Sequence, residues 1–467
     1  MLVITSDWHL ADKTAGLDMP AGAFALFQER LCDMAYDASQ RGDGTYKPID
    51  SLDLLLLGDI FDPLRSALWT EEEKGAPGYA RPWSKVNDPA FVKKLDQITD
   101  AIIRDNTDAF KILRSIAGGD GVSLPPATKD QHVDMRVSRD PRSVSRLPVK
   151  VRIHYMIGNH DWYYHLPGAG LDQVRQKIVD AMGLSNPPSA FPYVPSESGT
   201  IDQVLRQHGV FARHGDFHDP YNIYKQDRDH ASISDAVCVE LFNRIAVQIT
   251  NELHDRLVPE FFRDLKELDS IRPELMTPVW IASLFERYNV PQQDRLKVND
   301  IWHDLVGQFL KLDFLQELDE PFKFDLVDAL KAAFSLARLI SMDTLTDWAL
   351  AIEKLESLVG LVRSGSMGSE EWVEREPAFQ SGEARFIVYG HTHQPVVCPI
   401  RSLQRGALPL DQIYLNSGTW HPMHQICDTE SGKKSFVYYK TMTYLGLYCG
   451  GERRCKAYES WSGTLDI

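Results

Sequence analysis

Five short polar clusters bring Asp, Asn and His residues together at close spacing. In chain order they are Asp7-Trp8-His9, Gly58-Asp59-x-x-Asp62, Gly158-Asn159-His160-Asp161, His214-Gly215-Asp216 and Gly390-His391-Thr392-His393. They offer carboxylate, amide and imidazole ligands without a thiolate, which suits a divalent ion such as Mn, Fe or Zn rather than a structural Zn–Cys site. The ligands outnumber those that one ion needs. Two ions roughly 3.5–4 Å apart that share one carboxylate would use them all, and such a pair catalyses in-line attack on phosphorus.

Four of the clusters directly follow short apolar runs, at residues 1–6, 52–57, 149–157 and 386–389. Runs of this length that stop at a polar loop predict buried strands. Between the first two runs, residues 23–40 carry apolar side chains at helical spacing, so the order strand, helix, strand predicts a parallel βαβ unit. Because ligands bind at the carboxyl ends of parallel strands, we expect the clusters to converge.

In this order the clusters resemble the signature of the calcineurin-like metallophosphoesterase superfamily, which runs DxH, GDxxD, GNH(D/E), a later His and GHxH. The resemblance covers about residues 1–63, 150–218 and 384–421. It implies a metal-dependent phosphoric ester hydrolase. We expect an α/β fold in the form of a four-layer α/β/β/α sandwich of two mixed sheets, with a large all-helical insertion.

The resemblance also implies two metal sites and a proton donor. The first ion would be held by Asp7, His9, Asp59 and His393, and the second by Asp59, Asn159, His214 and His391. Manganese is the expected ion, with iron, zinc or nickel as alternatives, and the implied reaction is attack on phosphorus by a hydroxide that bridges the two ions. We expect His160 to protonate the leaving oxygen with Asp62 as its carboxylate partner, because such a partner fixes the tautomer of the ring.

Four further residues are candidate substrate contacts: Arg65, Tyr163, Tyr164 and His165. The protein Ser/Thr phosphatases follow GDxxD with RG, where this chain has Pro63-Leu64, and Arg65 would stand in for that arginine. A surface salt bridge is the competing interpretation for Arg65. For Tyr163, Tyr164 and His165, which lie shortly after the GNHD cluster, aromatic packing beneath the metals is the competing interpretation.

The periodicity of apolar residues divides the chain into two parts. Residues 1–218 and 384–467 form the predicted catalytic domain, with a local insertion at 64–148, and residues 219–383 form a helical insertion. The insertion leaves the chain just after His214 and returns just before His391, so we expect it to cap the metal cleft. Its surface would also suit a protein partner.

The net charge of −16 comes almost entirely from the helical insertion. Residues 219–383 hold 31 acidic and 17 basic residues, a net of −14, and the other 302 residues have a net of −2. An acidic cap repels long polyanions. We therefore expect a phosphorylated small-molecule or nucleotide-type substrate and not a long nucleic acid.

The remaining composition predicts a cytoplasmic protein. The sequence begins MLVITSDWHL, which has neither the basic flank nor the apolar stretch of a signal peptide, and its apolar runs are too short to span a bilayer. The six cysteines form no CxxC pair, which fits reduced thiols.

Three other functions stay open. The segments TSDWHL and GDIFD resemble the manganese-dependent nucleases of DNA double-strand-break repair, which however have a basic DNA-binding cap. The segments HGD and GHTH resemble the UDP-diacylglucosamine pyrophosphatases, which usually have Arg in place of His160 and a much shorter insertion. The large insertion also fits a non-catalytic scaffold built on the same fold.

Overall fold

The computed structural model describes residues 1–225, 227–272, 276–319, 326–338, 369–405, 408–428 and 434–465. In these ranges the strands are β1 (Leu2–Thr5), β2 (Ser51–Leu57), β3 (Ser123–Leu124), β4 (Leu147–Pro148), β5 (Lys150–Met156), β6 (Val210–Ala212), β7 (Ile271–Arg272), β8 (Phe386–Tyr389), β9 (Pro395–Arg405), β10 (Leu408–Ser417), β11 (Met423–Asp428), β12 (Lys434–Tyr439), β13 (Thr441–Leu447) and β14 (Tyr458–Thr464).

The α-helices of the same ranges are α1 (Ala21–Ala38), α2 (Pro89–Asp105), α3 (Thr107–Ala117), α4 (Met135–Ser138), α5 (Ala169–Met182), α6 (Gly199–Gln207), α7 (Ile233–Val237), α8 (Arg244–Leu253), α9 (Pro259–Leu265), α10 (Thr277–Arg287), α11 (Gln292–Phe309), α12 (Asp313–Leu318), α13 (Leu326–Arg338), α14 (Ser369–Val373) and α15 (Pro377–Gln380). A π-helical segment at Cys238–Asn243 joins α7 to α8. None of the helices in the described ranges combines the length and apolar character needed to cross a membrane.

Two mixed sheets carry the polar clusters. The first has the strand order β14-β13-β1-β2-β5, in which β1, β2 and β5 are parallel. The second has the order β6-β8-β10-β9, in which β6, β8 and β10 are parallel. Each sheet also has antiparallel pairs, so the predicted mixed α/β architecture is confirmed. The carboxyl ends of each parallel set lie along one edge of its sheet.

Apolar side chains from both sheets share one core. Leu2, Leu55 and Met156 of the first sheet are buried in the same cluster as Val388 and Leu415 of the second. On its other face the first sheet packs against α1, α2, α3 and α5. A sheet covered on both faces requires nearly continuous apolar strands, and this explains the run at 52–57. Full burial of each such side chain contributes about 1.5–3 kcal/mol, so the sheets are a firm base for the loops at their ends.

The regular elements in the described part of segment 219–383 are helices, except for one strand. The sequence predicts helices only, whereas β7 adds a parallel strand to the β11–β12 hairpin of the C-terminal region. Backbone N–H and C=O groups of Ile271 and Arg272 thus find hydrogen-bond partners in β11, whereas in a helix they would bond within the helix. The parts of the predicted insertion at 226, 273–275, 320–325 and 339–368 lie outside the described residues.

Candidate metal centre

The predicted ligands stand just beyond the carboxyl ends of parallel strands. Asp7, Asp59, His214 and His391 each follow the last residue of their strand by two positions, and Asn159 follows β5 by three.

Five of the predicted ligands also have a left-handed backbone. They are Asp7, His9, Asp59, His391 and His393, with φ between 51° and 67°. Such a conformation is strained in a residue other than glycine and is concentrated at functional sites. The strand-end loops are therefore bent in a way that aims these side chains at a common point.

The first group of converging side chains consists of Asp7, His9 and His393. Nε2 of His9 lies 3.0 Å from Nε2 of His393, and Oδ1 of Asp7 lies 3.3 Å from the same His393 nitrogen. One ligand atom from each residue lies within 4.8 Å of those of the other two. All three side chains are buried. These are three of the four residues predicted for the first ion.

The second group consists of Asp59, His214 and His391. Nε2 of His214 lies 3.1 Å from Oδ2 of Asp59, and the ligand atoms of the three residues again lie within 4.8 Å of one another. Asn159 joins them, because its Oδ1 is 2.9 Å from Nδ1 of His391. The structure thus brings together all four residues predicted for the second ion.

Asp59 lies between the two groups. Its Oδ2 is 3.1 Å from Nε2 of His214 in the second group and 3.9 Å from Nε2 of His9 in the first. Burial raises the pKa of Asp59, but the neighbouring His214 and His160 outweigh that effect and hold the pKa well below its usual range. The carboxylate is therefore ionised and placed as a bridging ligand would be.

The outer hydrogen bonds of the imidazoles fit a divalent cation. Nδ1 of His214 is 2.8 Å from the carbonyl oxygen of Leu57, and Nδ1 of His9 is 2.8 Å from Oδ2 of Asp62. Both partners are acceptors, so each Nδ1 carries a proton and donates it. In the neutral ring, Nε2 then presents its lone pair to the cluster, which is the arrangement found around metal-bound histidines.

Two glycines allow the loops to approach closely. A Cβ at Gly158 would collide with Oδ1 of Asp59, and a Cβ at Gly390 would collide with Oδ2 of Asp7 and with Ser6. Any other residue would push these carboxylates away from the histidines. The glycines of the GNHD and GHTH clusters are thus needed for steric reasons.

His160 and Asp62 form the predicted pair beside the two groups. Nδ1 of His160 is 3.0 Å from Oδ2 of Asp62, the same oxygen that accepts from His9. Burial raises the pKa of Asp62, but His160 and His9 outweigh it and hold the pKa below its usual range. One ionised oxygen therefore orients both rings, and the backbone N–H of His160 donates to Asp59 at 2.8 Å.

Buried polar residues fix the loops from behind. Asp161 accepts hydrogen bonds from the backbone N–H groups of Gly158 at 2.6 Å and Ile60 at 3.0 Å, which ties the second and third clusters together. Burial and the charge of Asp59 raise the pKa of Asp161 to about 6. The turn after β10 also contributes, since Asn416 donates to the Gly390 carbonyl and Thr419 to that of Asp7, both at 2.8 Å.

Three of the four candidate substrate contacts are buried away from solvent. Arg65 is 1% exposed, and its guanidinium donates to the backbone carbonyls of His9 at 3.4 Å and Leu17 at 3.3 Å. Tyr163 and Tyr164 are 0% and 1% exposed and belong to the core beside the first sheet. Arg65 therefore lies behind the loop of His9. Both tyrosines lie in aromatic packing, which was the alternative to substrate binding for these two residues.

His165 lies at a junction of three segments. Nδ1 of its half-buried ring is 2.7 Å from Oδ1 of Asp229, and Nε2 is 3.4 Å from Oε2 of Glu197. Burial lowers the pKa of His165, but the hydrogen bonds to Asp229 and Glu197 outweigh burial and raise the pKa to about 9. The ring is therefore charged at neutral pH and holds the start of the insertion against the loop before α6.

Two residues that the sequence did not single out, Asn222 and His421, lie beside predicted ligands, and a third, Ser270, contacts His421. Asn222 accepts from Nδ2 of Asn159 at 3.2 Å. The ring centre of the buried His421 is 5.0 Å from that of His9, and its Nε2 is 2.9 Å from Oγ of Ser270. Asn222 and Ser270 belong to segment 219–383 and have no strand-end motif around them. For His421, the one feature of the sequence that could have indicated a place near the site is that it closely follows the Asn416–Thr419 turn.

No protein-family model matches the chain, and the search of curated proteins gives no match. The geometry of the site therefore carries the functional proposal.

Proposed function

We propose that the chain is a dinuclear metal-dependent phosphoesterase that hydrolyses a phosphomonoester or phosphodiester of a small or medium-sized substrate. The observation that carries the proposal is the pair of donor groups, Asp7/His9/His393 and Asp59/His214/His391, with Asp59 between them. The resemblance of the five sequence clusters to the calcineurin-like metallophosphoesterases supports the same conclusion.

Two divalent ions fit these residues. Asp7, His9, Asp59 and His393 would hold the first, and Asp59, Asn159, His214 and His391 the second. The donors are carboxylate, amide and imidazole groups, a set that suits manganese and also accommodates iron, zinc or nickel. Two such ions activate water at neutral pH and offset the negative charge that develops on the phosphoryl oxygens.

His160 is the proposed general acid. Its Nδ1 faces Oδ2 of Asp62, and an ionised carboxylate is an acceptor only, so Nδ1 keeps its proton. The second ring nitrogen, Nε2, is then the atom that delivers a proton to the leaving oxygen. Its side chain is 16% exposed, while that of Asp62 is 0% exposed, so His160 can meet substrate and Asp62 can only orient it.

We propose that residues 1–218 and 384–467 form a four-layer α/β/β/α catalytic domain. The shared core between the two sheets and the helices against the first sheet support this arrangement. Segment 219–383 is the proposed cap, because it contacts the site at Asn222 and through the bond of Ser270 to His421. An acidic cap repels long polyanions, so the proposed substrate is a small phosphorylated molecule or a nucleotide of the cytoplasm.

Exchange of Asp59 for Asn tests the proposal. The variant Asp59→Asn removes the negative charge that both ions would share, so we expect metal-dependent hydrolysis of p-nitrophenyl phosphate or its bis-ester to fall by at least about 100-fold. Loss of a residue that merely orients a ligand already costs about 10–100-fold. Removal of metal with a chelator should abolish wild-type turnover, and added Mn²⁺ should restore it.

The matched control is Asp53→Asn on the same strand β2. Asp53 bonds Arg152 and His154 and stands outside the donor groups. We expect this variant to lose stability and to keep its metal-dependent turnover. Full activity of Asp59→Asn, or a wild-type protein that is inactive with each of the four metals, would contradict the proposed function.

A further inference from the structure

The first turn of segment 219–383 contacts two predicted ligands of the second ion. Oδ1 of Asn222 is 3.2 Å from Nδ2 of Asn159, and Nδ2 of Asn222 is 3.5 Å from Nε2 of His391. Oδ2 of Asp219 is also 3.5 Å from Nε2 of His391. Asn159 is 3% and Asn222 8% exposed, so these amides meet with little water around them.

A carboxylate sets the orientation of both amides. Oδ2 of Asp219 accepts from Nδ2 of Asn222 at 3.0 Å, and a carboxylate has no proton to offer, so the NH₂ group of Asn222 must face Asp219. Its Oδ1 then faces Asn159 and accepts from Nδ2 of that residue. As a result, Oδ1 of Asn159 faces Nδ1 of His391, another predicted ligand of the second ion.

The same turn stands at the outer nitrogen of His391. His9 and His214 each have an acceptor on the ring nitrogen that faces away from the cluster, namely Asp62 and the Leu57 carbonyl. For His391, Nδ1 faces Asn159, and the outer nitrogen Nε2 faces Asp219. The turn thus supplies outer partners for two of the predicted second-ion ligands, Asn159 and His391, while other segments supply those of His9 and His214.

The turn is anchored independently of the ligands. The backbone N–H of Asn222 donates to the Asp219 carbonyl at 2.9 Å, and Arg228 donates to the Asn222 carbonyl at 3.3 Å. Arg228 is itself held by a buried ion pair with Asp216, two residues after His214. The backbone of Asn222 is therefore held by contacts that do not involve the donor side chains of the site.

We propose that Asn222 is a positioning residue for the second metal ion: by holding the amide of Asn159, it keeps Oδ1 of that ligand turned to the ion. This inference rests on the proposed function of the same site. With this role for Asn222, segment 219–383 would orient a ligand that belongs to the proposed catalytic domain, and it would therefore be part of the metal centre.

The test is Mn²⁺ binding to the full chain, measured by titration calorimetry and by the electron paramagnetic resonance signal of coupled Mn²⁺ pairs. The variant Asn222→Leu has nearly the same size and no hydrogen-bonding group. We expect it to bind the second ion about 10–100-fold more weakly and to bind the first ion as the wild type does. The coupled signal should then require correspondingly more Mn²⁺.

Two further variants separate positioning from a structural role. The double variant Asp219→Asn/Asn222→Asp exchanges the two side chains, so residue 222 still accepts from Asn159 and residue 219 now donates to residue 222. We expect its second-ion affinity to be close to that of the wild type. Asn251→Leu changes an exposed Asn of α8 in the same segment and should change neither site. Equal losses in Asn222→Leu and in the double variant, or no loss in Asn222→Leu, would overturn the proposal.

Failure of this inference differs from failure of the proposed function. A wild type that binds two Mn²⁺ ions and hydrolyses phosphoesters, together with an Asn222→Leu variant of unchanged affinity, overturns the positioning role alone. A wild type that binds fewer than two ions overturns both. Circular dichroism of the metal-free variants shows whether each is folded before the titrations are compared.

Discussion

At the residue scale, one carboxylate oxygen organises two imidazoles with different proposed tasks. Oδ2 of Asp62 lies 2.8 Å from Nδ1 of His9 and 3.0 Å from Nδ1 of His160. His9 turns its other nitrogen to the first donor group, and His160 is left with a partly exposed ring. The proposed ligand His9 and the proposed acid His160 are therefore oriented by one buried carboxylate.

The acid role of His160 predicts a dependence on the leaving group. In His160→Asn, hydrolysis of an alkyl phosphate should fall by about 10²–10⁴-fold, the usual contribution of general acid catalysis. Hydrolysis of p-nitrophenyl phosphate should fall much less, because nitrophenolate leaves without a proton. The measurement is kcat for both substrates at saturating Mn²⁺.

His154→Asn is the control for loss of a buried His–Asp pair. His154 on β5 lies 2.9 Å from Asp53, away from the donor groups. This variant should lower the thermal midpoint and leave the ratio of the two kcat values unchanged. An equal loss on both substrates in His160→Asn would argue against proton donation.

At the element scale, the first helices of segment 219–383 are joined to residues 64–148 by a buried ion pair. Nε of Arg81 lies 2.5 Å from Oε1 of Glu240 in the π-helical segment, and the two side chains are 6% and 4% exposed. Asn243 of the same segment donates to the Leu64 carbonyl at 2.7 Å, directly after the GDxxD cluster. The helices are thus fixed to the loop that carries Asp62.

Glu240→Gln should be strongly destabilising. It leaves the Arg81 guanidinium buried without its counter-charge, and removing one partner of a buried pair costs about 3–5 kcal/mol of the free energy of unfolding. Lys74 and Asp313 form a second ion pair between the same two parts, with side chains 73% and 66% exposed. Lys74→Met should therefore change the free energy of unfolding far less than Glu240→Gln, because solvent screens an exposed pair.

Urea unfolding followed by tryptophan fluorescence compares the two variants. A cost for Lys74→Met as large as that for Glu240→Gln would mean that burial does not decide the strength of this contact. Unchanged stability of Glu240→Gln would mean that the ion pair between Arg81 and Glu240 does not contribute to holding the helices in place.

At the scale of the whole molecule, negative charge is concentrated on one side of the proposed division. Segment 219–383 carries −14 of the net −16. Its described part contacts the predicted ligand Asn159 through Asn222, and Ser270 contacts His421 beside His9. If this acidic segment caps the site, as proposed, it repels a long polyanion more than a small phosphate, because a polyanion brings many negative charges near it.

This charge predicts an unusual salt dependence of inhibition. As salt rises from about 0.01 M to about 0.1 M, the Debye length falls from about 30 Å to about 10 Å and the repulsion is screened. The measurement is the ratio of inhibition by long-chain polyphosphate to inhibition by inorganic phosphate, with p-nitrophenyl phosphate as substrate. We expect this ratio to rise with salt concentration. Stronger polyphosphate inhibition at low salt, as in ordinary polyanion binding, would place the acidic surface away from the entrance.

The sequence by itself determined the residue types at the site and the strands that carry them. Apolar runs that end at Asp7, Asp59, Asn159 and His391 specify strands with polar loops at their carboxyl ends, because periodicity and turn residues act over a few neighbours. The parallel pairing of β1 with β2 followed from the same local pattern.

Only the tertiary structure decided which other residues join that site. Asn222 is 63 positions from Asn159 and 169 from His391, and Ser270 is 151 from His421. Arg65 and Tyr163 are near the clusters in sequence, yet the packing around them turns both side chains inward. Contacts at such separations depend on how sheets and helices pack against one another, and no short-range pattern records that packing.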